Sequence, residues 1–106
     1  MSAPVHAMPE AWQDVINIFT RISADNPATA ERFFDAIEQT FALLGEHPGA
    51  GALIEPALPN LPSARSWPIT GFKNCLVVYR PVDVGIEIRR VLHGARDIPA
   101  ALAEVP

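Results

Sequence analysis

The sequence predicts an α+β domain: an antiparallel helical hairpin packed on one face of a mainly antiparallel sheet. Three observations predict it. Apolar residues recur at helical spacing up to residue 44 and at strand spacing from residue 64 onward. Only about three residues separate the two helical stretches, which forces them to fold back on each other. Helices come first and strands follow as a run, a pattern that segregates into layers rather than into alternating parallel units. The expected order is β-α-α-β-β-β with a short C-terminal helix or tail, in a single domain spanning residues 1–106.

Each element has its own grounds. Residues 3–7 form a short first strand, with Pro4 placing it at an edge. From Pro9, the residues Trp12, Val15, Ile16, Phe19 and Ile22 fall on one face of a helix. Pro9 suits the first turn, and Glu10 and Asp14 suit the positive end of the dipole. Ser23 to Asn26 breaks the pattern. Asn26 then caps a second helix that starts at Pro27 and presents Phe33, Phe34, Ile37, Phe41 and Leu44, with Gly45 placed to end it. Residues 45–63 are rich in Gly and Pro and read as a long loop, which Leu53, Ile54, Leu58 and Leu61 hold against the core.

Strands follow. In residues 64–70, Arg65, Trp67 and Ile69 share a side, and Pro68 removes a donor, which suits an edge or a bulge. Residues 71–74 turn the chain. Residues 75–80 are apolar on both parities, the mark of a central strand buried on both faces. Pro81 to Gly85 turns again. In residues 86–92, Ile86, Ile88, Arg90 and Leu92 alternate against Glu87, Arg89, Val91 and His93. Ile98 to Glu104 makes the short terminal helix.

Composition narrows the function. Hydrophobic residues make up 49% of the chain, so it folds around a core. The net charge of −4 argues against generic nucleic-acid binding. That total is uneven: residues 1–60 hold two cations against eight acids, and residues 61–106 hold six against four. Two readings stand: an acidic helical side with a basic sheet region, or ordinary solvated surface. One cysteine gives no disulfide framework, and no run approaches the ~20 apolar residues of a membrane span. The expectation is a cytoplasmic protein with no membrane contact.

Chemistry-bearing motifs are few. His6, His47 and His93 have no partner at ligand spacing, so no metal site and no cofactor are expected. Ser23, Ser63 and Ser66 lack a nucleophile elbow. Cys75 sits among aliphatics and reads as inert core. The candidates left are the late cations. Arg90, in an inward register, either pairs with a helix acid such as Asp14 or Asp25 or faces a partner. Arg80 and His93 divide in the same way between structural pairing and a functional surface. Trp67 either packs against the 45–63 loop or invites a partner segment onto the sheet edge.

These residues resemble a known family. Asp25-Asn26-Pro27 opening a helix that continues Ala30-Glu31-Arg32-Phe33 is similar to the ParE branch of the RelE/ParE toxins of bacterial toxin–antitoxin pairs. So is Leu76-Val77-Val78-Tyr79-Arg80, followed by Gly85-Ile86-Glu87-Ile88 and then Arg90-Val91-Leu92-His93-Gly94-Ala95-Arg96-Asp97. The resemblance spans residues 9–98 and implies the same two-layer fold.

Its RelE-like members are metal-free, ribosome-dependent messenger-RNA nucleases, and its ParE-like members poison DNA gyrase by contact. The nucleases resemble one another in an arginine three residues before the strand tyrosine. Here that tyrosine is Tyr79, and Leu76 stands three before it. Some also end the last strand in His-Tyr, whereas His93 is followed by Gly94. The resemblance therefore implies a gyrase-binding toxin with no catalytic centre, neutralised by a cognate antitoxin. Arg80, Arg90, His93 and Arg96 are expected on the gyrase or partner surface, and Trp67, Phe19 and Phe34 on the antitoxin surface. The alternatives are a ribonuclease using His93, Arg80 and Arg90, and a non-toxic binding module of the same fold.

Overall fold

The computed structural model describes residues 4–55 and 59–94. Leu58, Arg96 and the expected helix from Ile98 to Glu104 lie outside the described residues. The elements are β1 (Val5–Ala7), α1 (Pro9–Asp25), α2 (Pro27–Glu46), β2 (Ala52–Leu53), β3 (Arg65–Ile69), β4 (Phe72–Val82) and β5 (Gly85–His93). The sheet order is β1-β5-β4-β3-β2. All neighbours pair antiparallel except β1 with β5.

The helical hairpin forms as expected, with a tighter join. Asn26 alone separates the helices. Its side chain accepts from the Thr29 backbone N–H at 3.1 Å, and Pro27, which has no N–H to satisfy, follows it. The first helix runs on to Asp25, past the predicted break at Ser23, because nothing in Ser-Ala-Asp forbids another turn. The second runs past Gly45 to Glu46, and Gly45 is buried inside it. Trp12 packs edge-on against Phe41, and Phe19 edge-on against Phe34, so the two helices run antiparallel.

The buried face of α1 differs from the predicted stripe. Ala11, Val15 and Ile18 point into the core, while Trp12 is 40% exposed and Ile16 55% exposed. The apolar stripe is wider than the sheet can cover, and its outer half remains on the surface.

Strand β4 is the middle strand and is buried on both sides, as its composition predicts. Cys75, Val77 and Tyr79 join the main core with Phe33, Ile37 and Leu44. Val78 joins a second cluster with Ile54, Leu61, Ala64 and Leu92. That second cluster is where the long loop does its packing. The loop also contributes the two-residue strand β2, which pairs Ala52 with Ser66 and Leu53 with Arg65. Pro68 sits at a register shift in β3, beyond the reach of β2, where a missing donor costs nothing.

The turns are shorter than expected, because Phe72 belongs to β4 and Pro81 and Val82 extend it. Gly85 closes the β4–β5 hairpin at φ +98°, beside the Pro4 carbonyl that accepts from Ile86 N–H at 3.0 Å. A side chain at Gly85 has neither the backbone conformation nor the space it needs.

The predicted alternation of β5 fails at one point. Tyr79 pairs with Ile88 and Val78 with Arg90, which leaves Arg89 as an extra residue, a β-bulge. One inserted residue exchanges the two faces. Val91 therefore joins Ile86 and Ile88 in the main core, and Leu92 moves to the second cluster.

Candidate functional site

Of the four predicted surface cations, the three among the described residues do not converge. Arg80 stands beside Glu87 near the β4–β5 turn, whereas His93 pairs with Cys75 at the far end of β5. At ~3.3 Å per strand residue, Glu87 and His93 lie roughly 20 Å apart. His93 is exposed, with Nδ1 3.4 Å from Arg21 Nη1. Arg96 lies outside the described residues.

Arg90 takes the first of its two predicted roles. Its Nε and Nη2 donate to Asp14 Oδ2 and Oδ1 at 2.6 and 2.9 Å, and Val91 N–H donates to Oδ2 at 2.9 Å. Strand β1 ends at Ala7, opposite Ile88, so α1 takes over the open edge of β5 through Asp14. The bonds to Asp14 outweigh burial and hold the Arg90 guanidinium above its ordinary pKa.

Arg80 belongs to a different cluster, one that sequence reasoning missed. Arg80 Nε and Arg89 Nη1 both donate to Glu87 Oε1 at 3.0 Å. Glu87 alternates with Ile86 and Ile88 of the core, so the three side chains lie on the sheet face away from the helices. The bulge at Arg89 had no signature in the sequence, since β5 alternates cleanly by parity. The signal that was available is the proximity of Arg80 and Glu87 across a predicted tight hairpin.

Burial pushes the Glu87 carboxyl upward, but the hydrogen bonds and charges of Arg89 and Arg80 prevail and hold it below its usual 4.5. A depressed carboxylate stabilises the fold above its unfolded pKa and loses that contribution as pH falls through the folded value. With Arg80 about a third exposed, screening limits the contribution to roughly 0.5–1 kcal/mol. Urea melts of wild type and Glu87→Gln should therefore differ by that amount at pH 7 and converge as the pH falls well below 4.5.

Phe19 and Phe34 do meet. With Val15, Ile16, Glu31 and Asp35 they line an open groove of about 480 Å³ between α1 and α2. Trp67 is apart from this groove, half-buried against the main core from β3. The tyrosine of the last hairpin is not available at a surface. Tyr79 is fully buried, its hydroxyl donating to Pro48 O at 2.9 Å and accepting from Gly51 N–H at 2.8 Å. Burial pushes the Cys75 thiol up to about 11, which keeps it protonated at neutral pH. A disulfide reagent should modify Cys75 only as the protein unfolds, at a rate that follows the urea transition. Prompt native labelling would contradict its burial. Among the described residues no cluster of three His, Cys, Asp or Glu side chains is placed to hold a metal, and no helix is long and apolar enough to cross a membrane.

A helical hairpin on one face of a five-stranded, mostly antiparallel sheet is the fold of the RelE/ParE toxins, and the branch is that of ParE. The family model described as the ParE toxin of type II toxin-antitoxin system, parDE, matches residues 5–98, and the chain belongs to this family. A solved structure described as the chromosomal ParDE TA system from P. aeruginosa superposes with a TM-score of 0.71. It covers 89% of this chain and 98% of that one at 17% identity, a likeness of fold. No curated protein sequence matches the chain.

Proposed function

We propose that this chain is a toxin that inhibits DNA gyrase by contact, without chemistry of its own, and that a cognate antitoxin neutralises it in the cytoplasm. Membership of the ParE family supports the toxin reading. The wide separation of Arg80 and His93, and the commitment of Arg90 to Asp14, support contact over catalysis. General acid–base cleavage of RNA needs a proton acceptor, a donor and a cation within reach of one phosphate.

The observation that carries the antitoxin reading is the helical groove. Phe34 is 38% exposed and Ile16 55% exposed, both on its walls. An apolar strip of this kind beside Trp12 accepts an amphipathic segment that folds on binding. Phe34→Glu should weaken antitoxin binding by about 100-fold by placing a charge against that segment, with gyrase inhibition intact. Binding equal to wild type would remove the groove from the antitoxin interface.

The deciding experiment is gyrase supercoiling with purified protein, with and without antitoxin. Loss of supercoiling that the antitoxin restores is the expected result. Undiminished supercoiling, together with ribosome-dependent messenger-RNA cleavage that His93→Ala abolishes, would overturn the gyrase reading.

A further inference from the structure

The outer face of the sheet carries a charge arrangement that the fold does not require. Arg80 and Arg89 both bind one oxygen of Glu87, each through a single N–H. Two guanidiniums against one carboxylate leave a net charge of about +1, and neither arginine has another acidic partner among the described residues. Neither uses the paired N–H edge with which arginine best grips a carboxylate. Arg89 is also the bulge residue of β5, and bulges re-aim side chains.

The surroundings favour a protein ligand. Val82 shares the outer face of β4 with Arg80 and is 40% exposed, and Val84 at the turn is 73% exposed. His6 lies opposite Glu87 on β1 and is exposed. Ile54, Leu61 and Ala64 pack with Val78 and Leu92 at the other end of this face, away from the arginines. A nucleic acid would present a row of phosphates to a surface with one net positive charge, on a chain of net charge −4. A protein segment with one or two carboxylates beside an apolar side chain matches the face in charge and in surface.

We infer that Arg80 and Arg89, with Glu87 as their internal counter-ion and Val82 and Val84 as an apolar margin, form the receptor for a carboxylate-bearing segment of the target, gyrase. This rests on the gyrase reading above and places the contact on the opposite layer from the antitoxin groove.

The test is equilibrium binding of the full chain to purified gyrase A and B subunits, with antitoxin binding and a thermal melt alongside. R80Q or R89Q alone should weaken gyrase binding by about tenfold, and R80Q/R89Q by about 50-fold, each loss shrinking as salt rises. Antitoxin affinity should stay within about twofold, since the groove is remote from the substitutions. R80K/R89K keeps both charges and both ion pairs, so it serves if the glutamine variant melts early. It should still lose about fivefold for want of the guanidinium fork. If the wild type binds gyrase and a folded double variant binds it equally well, the receptor is overturned while the gyrase reading stands. If the wild type does not bind gyrase, both fall. Tight binding of a DNA duplex, lost in the double variant, would overturn the carboxylate assignment.

Discussion

Asp14→Ala should be among the most damaging single substitutions in this fold, costing about 3 kcal/mol of stability. Asp14 makes three bonds at once, two to Arg90 and one to Val91 N–H. The side chains of the pair are only 14% and 20% exposed, so water replaces little of what is lost. Truncation leaves a guanidinium and a strand amide without partners at the point where β1 has ended and α1 alone guards the edge of β5. Arg90→Met should cost less, about 1–2 kcal/mol, because Asp14 keeps its bond from Val91 N–H. Asp14→Asn should fall between the two. Urea denaturation of the four proteins checks the ranking, and a loss below about 0.5 kcal/mol for Asp14→Ala would show that the contact does not secure the edge. The practical consequence is that any defect of an Arg90 variant reports on folding before it reports on binding.

Much of this was legible in the chain. Helix α1, the Asn26 cap and the central strand follow from period and cap chemistry, while the need of a part-buried arginine for a carboxylate left Arg90 open between Asp14, Asp25 and a partner. Two things were not legible, for different physical reasons. Hydrophobic spacing shows that Trp12, Val15, Ile16 and Phe19 share a face, but not how much of that face the sheet is wide enough to cover. Val15 is buried and Ile16 is exposed because of what lies opposite them, and that is a property of the packed layers. The groove arises from this mismatch.

The second is the bulge at Arg89. A strand's parity is read by counting residues, and a single inserted residue leaves the count looking regular while it exchanges the faces beyond it. Arg90 sat in an apparently inward register for that reason. Val91, read as outward, is core at 2% exposure. The same insertion leaves Arg89 beside Arg80, with both bonded to Glu87, a grouping that parity alone does not show.

The long loop supplies the second large effect. Gly51→Ala should cost about 2–3 kcal/mol, because an added methyl meets atoms that cannot retreat. A Cβ there would stand 2.7 Å from Tyr79 Oη, 2.8 Å from Tyr79 Cε1 and 2.8 Å from the Ser66 carbonyl. Tyr79 is fully buried in the central strand, and Ser66 is backbone paired on both sides, to Ala52 and Val78. Tyr79→Phe should cost about 2 kcal/mol by a different route, leaving Gly51 N–H and the Pro48 carbonyl unpaired. Arg65, which donates to Gly51 O at 2.7 Å, and the short β2 pairing then hold the segment. The two changes should not add. Phenylalanine removes the nearest atom that the alanine methyl strikes, so the double variant should be about 1 kcal/mol more stable than the sum predicts. Full additivity would mean that the Ser66 carbonyl, not the tyrosine, sets the limit. Limited proteolysis supplies an independent reading: both single variants should be cut between Gly49 and Glu55 well before global unfolding, since β2 is only two residues long and its bonds, once the Tyr79 latch is lost, open locally.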